Sequence, residues 1–332
     1  MRLLVLGGSV FLSRAVAEEA VRRGHDVVCA CRGISGSIPD GATLVPFDRR
    51  QGVPAELAEQ RFDAAVDVAR QPSWVRAAVS TFAETHWIFV STISVYEDES
   101  TPGGRPGTLP LREPIAGDVD LKENPEAYGP MKVACEQILR ESAASAMVVR
   151  PGLIVGPGDP TGRFTYWPAR LGDVADHPEV LAPGDPSDTV QVIDARDLAG
   201  WIVDSAETHR IGVFDGIGPT TTIGELLADV AKGAGAEPAF TWVAHEFLIE
   251  QEVRPWAGPK SVPLWLPRPQ YDGMLAHDAT PSLDAGLTVR PVANTTRDTL
   301  TWLGETPDAE VTGLTREEER TLLDAWRASG TT

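Results

Sequence analysis

Short apolar runs alternate with amphipathic stretches through the first half of the chain. "RLLVLG", "HDVVCACR", "TLVPFD", "FDAAVDVAR", "HWIFVST" and "AMVVRPG" are apolar runs, whereas "AVAEEAVRRG", "SWVRAAVSTFA" and "YGPMKVACEQILRESA" are amphipathic. Apolar runs without polar alternation suit strands covered on both faces. The pattern therefore predicts an α/β fold, a doubly wound parallel sheet with helices on both sides, over residues 1–155. The later half alternates less regularly and is richer in proline. It predicts a strand and helix at "TVQVIDARDLAGWIVDSA", another pair at "GVFDGI" and "TIGELLADVAKGAG", and a closing helix near "REEERTLLDAWRA". Residues 156–332 thus read mainly as a smaller subdomain, with some segments returning to the sheet. No internal repeat or low-complexity linker separates the halves, so the boundary is soft.

Charge narrows the partners. The formal net charge of -19 repels phosphate polymers and anionic lipid over most of the surface, which argues against nucleic acid and membranes. No apolar run is long enough to span a bilayer. The N-terminal "MRLLVLGG" turns to glycine too soon for a signal peptide, so the expected location is cytoplasmic. Cys29, Cys31 and Cys135 form no C-x-x-C pair and read as small buried residues. The six histidines show no H-x-x-x-H or H-x-H spacing, so no metal is expected.

The first strand leaves through Gly7, Gly8, Ser9, Val10, Phe11 and Leu12 into a helix, where a dinucleotide fold places backbone N–H groups beneath a pyrophosphate. In a G-x-x-G-x-x-G spacing from Gly7, the second and third positions are Val10 and Ser13, so close approach there is less assured. The second strand ends in Cys31 and Arg32, where an NAD site would usually carry an acid. Arginine there favours a 2′-phosphate, hence NADP over NAD, although a strand-end surface arginine fits the same position. Asp48, with Arg49 beside it, stands near the expected adenine pocket as an acceptor for the amino group or as a loop-initiating aspartate.

The fifth strand delivers Ser91, Thr92 and Ser94 at its C-terminal end, where open α/β sheets bind ligands. Tyr128 precedes Lys132 by four residues, one helical turn, so both serve one face. With four tyrosines in the chain, such a pairing with a lysine arises by chance roughly one time in twenty, which needs corroboration. Corroboration comes from order: "STISVY", "AYGPMK" and "VVRPGLIVGP" together strongly resemble the extended short-chain dehydrogenase/reductase family. Its members read S-S/T-x-x-V-Y-G, then Y-x-x-x-K, then R-P-x-x-x-x-G-P. The resemblance covers roughly residues 1–305.

That resemblance implies a Rossmann-type fold with a C-terminal substrate-binding subdomain. It also implies that the Thr92 hydroxyl binds the substrate oxygen, Tyr128 exchanges the proton, and Lys132 holds the nicotinamide ribose while lowering the tyrosine pKa. A phenol with a pKa near ~10 is a poor base at neutral pH, and a neighbouring cation favours its ionised form. The implied cofactor set further includes Val68, Ala69, Arg70, Pro151, Leu153 and Ile154. Ser94 and Tyr96 are secondary candidates for the substrate pocket. Arg163, Tyr166 and Trp167 form a cluster suited to an aromatic or anionic substrate, or equally to core packing or an interface.

Departures from the family's sugar-nucleotide members matter too. Leu153 replaces the asparagine of R-P-x-N, and Ile93 and Ser94 follow Thr92 where dehydratases carry an Asp-Glu pair. Dehydration is therefore not expected. The polar, proline-rich segment between the two catalytic motifs reads either as a mobile cover or as a surface insertion. The leading expectation is an NAD(P)-dependent oxidoreductase acting on a small carbonyl or alcohol, as a monomer or homodimer. A sugar-nucleotide epimerase is the alternative. A non-catalytic dinucleotide-sensing or RNA-binding relative is a further one, opposed by the negative charge and the intact Thr92, Tyr128 and Lys132 set.

Overall fold

In β1 (Arg2–Leu6), Leu3 and Val5 belong to one buried cluster and Leu4 and Leu6 to another, on opposite faces of the strand. With both faces covered, the strand needs no polar alternation. These positions come from a computed structural model that describes residues 1–330. The other sheet strands of the first half are β2 (Asp26–Cys31), β3 (Thr43–Pro46), β4 (Ala64–Asp67), β5 (His86–Val90) and β6 (Ser145–Pro151). Four short strands follow: β7 (Leu153–Val155), β8 (Glu179–Pro183), β9 (Thr189–Val190) and β10 (Val192–Asp194). Next comes β11 (Gly212–Gly216), which returns to pair in parallel with β6. The parallel sheet has seven strands in the order β11-β6-β5-β4-β1-β2-β3.

The helices are α1 (Phe11–Arg22), α2 (Ala55–Ala58), α3 (Pro72–Thr81), α4 (Tyr128–Ser142), α5 (Tyr166–Gly172), α6 (Ala195–Glu207) and α7 (Ile223–Ala234), followed by four more up to Arg316–Ala328. Val16 and Ala20 of α1 and Leu198 and Ile202 of α6 cover the Leu3 side of the sheet. Val75 and Val79 of α3 and Cys135 and Leu139 of α4 cover the Leu4 side. Asp194 caps α6 by accepting from the Arg196 N–H at 2.8 Å. No helix among the described residues is long and apolar enough to cross a membrane.

Residues from the later half build a third core, around Phe164, Trp167, Leu227 and Trp265. Tyr166 and Trp167 belong to it, the core-packing alternative of the two held open for them, and not to a substrate pocket. Trp167 is fully buried and donates to the Pro263 carbonyl at 2.9 Å, and Tyr166 packs edge-on against it. The proline-rich stretch after Tyr96 is stitched to the later half by backbone bonds. The Gly273 and Gly103 N–H groups bond Glu99 and Ala276 carbonyls, and the Asp278 N–H bonds that of Gly104. It buttresses the wall made by Met274 and Leu275.

Candidate active site

At the C-terminal end of the sheet, β1 runs into a turn in which Gly7 and Gly8 take φ values of 143° and 98°, open to glycine and strained for other residues. A Cβ on Gly8 would lie 2.4 Å from the Cys29 sulfur. Ser13 takes the place of the family's third glycine. Its hydroxyl accepts from the Gly8 N–H at 3.1 Å and donates to the Val10 carbonyl at 2.9 Å. It fits because Gly7 is bare: a Cβ there would stand 3.2 Å from that of Ser13. Val10, in the second glycine position, starts α1 without a side-chain cap. Val10, Phe11 and Leu12 line a cavity of about 540 Å³, so the unpaired N–H groups of the first helical turn open toward it.

A separate hollow of about 280 Å³ lies at the ends of β1, β2 and β3, lined by Gly7, Cys31, Arg32, Asp48, Arg49 and Arg50 among others. Arg32 is exposed there and makes no ion pair among the described residues. Asp48 is engaged by its neighbour: Arg50 donates to both its oxygens, at 2.6 and 3.0 Å, and holds the carboxyl down at about 2. Arg49 turns inward. It forms two hydrogen bonds with the buried Asp67 carboxylate, at 2.6 and 3.0 Å, and a third with the Leu6 carbonyl at 2.8 Å. Both residues expected to meet the adenosine thus have protein partners, which differs from free recognition groups. Asp67, the partner of Arg49, was silent in the sequence because a strand-end aspartate looks like any loop residue.

The large cavity gathers the catalytic candidates. Thr92, Ser91 and Ser94 reach it from the end of β5, Tyr128 and Lys132 from α4, and Val68 and Arg70 from beyond β4. Pro151, Leu153, Ile154 and Arg163 complete the group expected there. Thr92 caps the short turn Ile93–Val95, accepting from the Ser94 N–H and donating to the Ser94 hydroxyl, each at 3.2 Å. Burial raises the Tyr128 pKa, against the pull of the Thr92 hydroxyl and the charges of Arg70 and Arg163.

Lys132 is anchored to the end of β5. Its ammonium donates to the Val90 carbonyl at 2.6 Å and lies 4.7 Å from the centre of the Phe89 ring. Burial pushes its pKa down to about 8, with the Arg70 charge adding to the fall and the Asp67 and Glu136 carboxylates opposing it. The cations that bear most on the phenol are Arg70 and Arg163. A one-turn spacing puts two side chains on one face but does not make their tips meet.

Tyr96 is a further correction, because it lies behind the cavity instead of lining it. Its hydroxyl donates to Asp215 at 2.8 Å and accepts from Arg150 at 3.0 Å. Arg150 also makes a buried two-point pair with Glu136, whose Oε1 takes the Ser91 hydroxyl at 2.5 Å. Of this buried set only Asp215 Oδ2 has no hydrogen-bond partner among the described residues, with His277 Nδ1 3.3 Å away. Ala69 is buried beside the cavity, its N–H held by Asp67 at 2.8 Å. Gly8 and Ser9 form the turn beneath α1 and contribute no side chain to the cavity. The sequence reading missed Asp159, Thr161, Trp256, Met274 and Leu275, all of which line it. Asp159 and Thr161 lie between the RPGLIVGP motif and Arg163, whereas Trp256, Met274 and Leu275 come from distant loops that only tertiary proximity reveals.

No protein-family model matches the chain, and no curated protein sequence matches it either. Solved structures do. One from Burkholderia cenocepacia J2315 has a TM-score of 0.65 at 18% identity, covering 91% of this chain and 98% of that one. The Bordetella bronchiseptica enzyme WbmH, in complex with NAD+, scores 0.63 at 15% identity, covering 92% and 98%. The UDP-Glc/GlcNAc 4-epimerase of Campylobacter jejuni scores 0.63 at 15% identity, covering 92% and 99%. At these identities the likeness is one of fold. The chain has the fold of these three structures.

Proposed function

We propose that the chain is an NAD(P)-dependent oxidoreductase of the extended short-chain type acting on a small carbonyl or alcohol. The observation that carries this reading is a single cavity shared by Thr92, Tyr128, Lys132 and the uncapped start of α1. The residues present fit a dinucleotide. First-turn N–H groups suit the pyrophosphate, the Lys132 ammonium suits a ribose, and exposed Arg32 suits a 2′-phosphate. NADP is the preferred cofactor on the strength of Arg32.

A nicotinamide dinucleotide, when bound, supplies hydride donation and acceptance. The chain's own residues handle the proton. Thr92 hydrogen-bonds the substrate oxygen. Tyr128, its pKa raised by burial, is a neutral phenol at pH 7 and so suited to protonate a carbonyl oxygen as hydride reaches the carbon. In reverse, the Tyr128 phenolate takes the hydroxyl proton while the C–H pair leaves as hydride and C=O forms, a direction that the raised phenol pKa disfavours at pH 7. Ser91, tied to Glu136, fixes the end of β5 beside Thr92.

The fold likeness to the Campylobacter 4-epimerase favours a second reading, an epimerase that oxidises and re-reduces one substrate. Turnover separates the two. Purified protein is mixed with small aldehydes and ketones and NADPH, or with UDP-sugars and no added cofactor. Stoichiometric loss of reduced cofactor supports the oxidoreductase, and isomerisation without added cofactor replaces it with the epimerase.

A further inference from the structure

Arg163 is a cation inside the cavity that makes no direct ion pair with a carboxylate among the described residues, although the charge of Asp159, which also lines the cavity, acts on it. It follows Thr161, whose hydroxyl donates to Asp159 at 2.7 Å and accepts from the Arg163 Nε at 3.0 Å. The Asp159 carboxylate, 3% exposed, also receives the Thr161 N–H at 2.9 Å and reaches Arg163 through that hydroxyl and by its charge, not by a direct hydrogen bond. The guanidinium is held from the other side by the Trp256 ring, 4.9 Å from its centre. With Nε and one face fixed, the two terminal nitrogens make no hydrogen bond or ion pair among the described residues. They belong to a side chain that lines the cavity with Tyr128.

We propose that this edge of Arg163 is a substrate-anion clamp, so that the carbonyl or alcohol handled at Tyr128 carries an oxyanion, carboxylate or phosphate. The assignment rests on the oxidoreductase reading for the identity of the reacting group, but the anion site stands on its own geometry. A guanidinium fork binds two oxygens at once, which fixes orientation as well as charge. Arg163 comes pre-oriented by Thr161 and Trp256, so little side-chain freedom is lost on binding. Arg70 lines the same cavity and adds a second positive charge on the side of β4. Arg163 also acts electrostatically on the Tyr128 phenol, so an anion seated on the fork sits within range of the reacting site. Met274 and Leu275 supply an apolar wall for the uncharged part of the substrate.

Two measurements test this. Benzoate, phenyl phosphate and neutral benzamide are titrated into the full chain and into Arg163→Gln and Arg163→Lys, with calorimetry as the readout and thermal unfolding as the folding control. At least one anion binds the wild type ten-fold or more tighter than benzamide. Arg163→Gln abolishes that preference, and Arg163→Lys keeps part of it. The better of the two anions identifies the oxyanion. Equal binding of all three probes, or an anion preference that survives Arg163→Gln, overturns the clamp. Turnover of carbonyl acids against their methyl esters is then compared, and Arg163→Gln raises KM for the acid at least ten-fold more than for the ester. An Arg163-dependent anion preference without any cofactor-linked turnover retains the clamp and discards the oxidoreductase reading.

Discussion

Lys132 reaches the Val90 backbone carbonyl at 2.6 Å, so its ammonium is tied to the end of β5 and not to the phenol one turn before it. Tyr128 and Lys132 therefore answer differently to substitution. Tyr128→Phe removes only the hydroxyl, and kcat falls about 10²- to 10⁴-fold with cofactor affinity nearly unchanged. Lys132→Met weakens cofactor binding as well. Titration of both variants with NADPH, beside single-turnover rates, checks the division, and identical kinetic losses with intact affinity would remove the ribose role.

The Lys132 pKa of about 8 also sets a pH dependence. In the unfolded chain the group titrates near ~10.4, so between these values the unfolded state holds the proton more tightly. Relative to Lys132→Met, wild-type stability therefore rises as pH climbs from about 8 toward ~10.4, and the cost of the buried charge is fully present below pH 8. Cofactor affinity moves the opposite way, falling above pH 8 as the ammonium is lost. Urea unfolding and NADPH titration across this range read both slopes.

Exposed Arg32, unpaired at the end of β2, predicts the cofactor. A charge-assisted bond to the 2′-phosphate favours NADPH by roughly ten- to a hundredfold. Cys31→Asp combined with Arg32→Ala reverses the choice, because the new carboxylate accepts from ribose hydroxyls and repels the phosphate. Affinities for both reduced cofactors at one fixed salt concentration decide it. Tighter NADH binding by the wild type would place the 2′-position elsewhere.

Arg49→Ala leaves the fully buried Asp67 carboxylate without its cation. Breaking one side of such a pair costs about 3–5 kcal/mol, measurable as a lower urea midpoint with an unchanged slope. A loss below about 1 kcal/mol would mean that water or a shifted Arg50 reaches Asp67.

The strand pattern was readable because burial on both faces leaves its mark directly in residue types: β1, β4 and β5 are each an apolar run with a polar residue only at one end. Thr92, Tyr128 and Lys132 were readable through motif order, and the structure brings all three to one cavity. Aromatic residues carried no such mark. Tyr96, Tyr166 and Trp167 sit near motif segments, yet their rings face inward, because sequence spacing does not say which side of a loop is covered. Ser13 shows the converse. As a missing glycine it suggested a degraded loop, but its hydroxyl joins Gly8 to Val10, a hydrogen-bonding option that a glycine pattern does not encode.

Because β11 borders β6, the sheet is finished by a segment that leaves the ribosome roughly sixty residues after β6 itself. During that interval β6 presents an open row of N–H and C=O groups, the kind of edge on which chains mispair. Once β11 docks, the Ser282 hydroxyl bonds its Asp215 carbonyl at 2.6 Å. Nascent chains halted before residue 212 should therefore aggregate or recruit chaperones more than chains halted after residue 290.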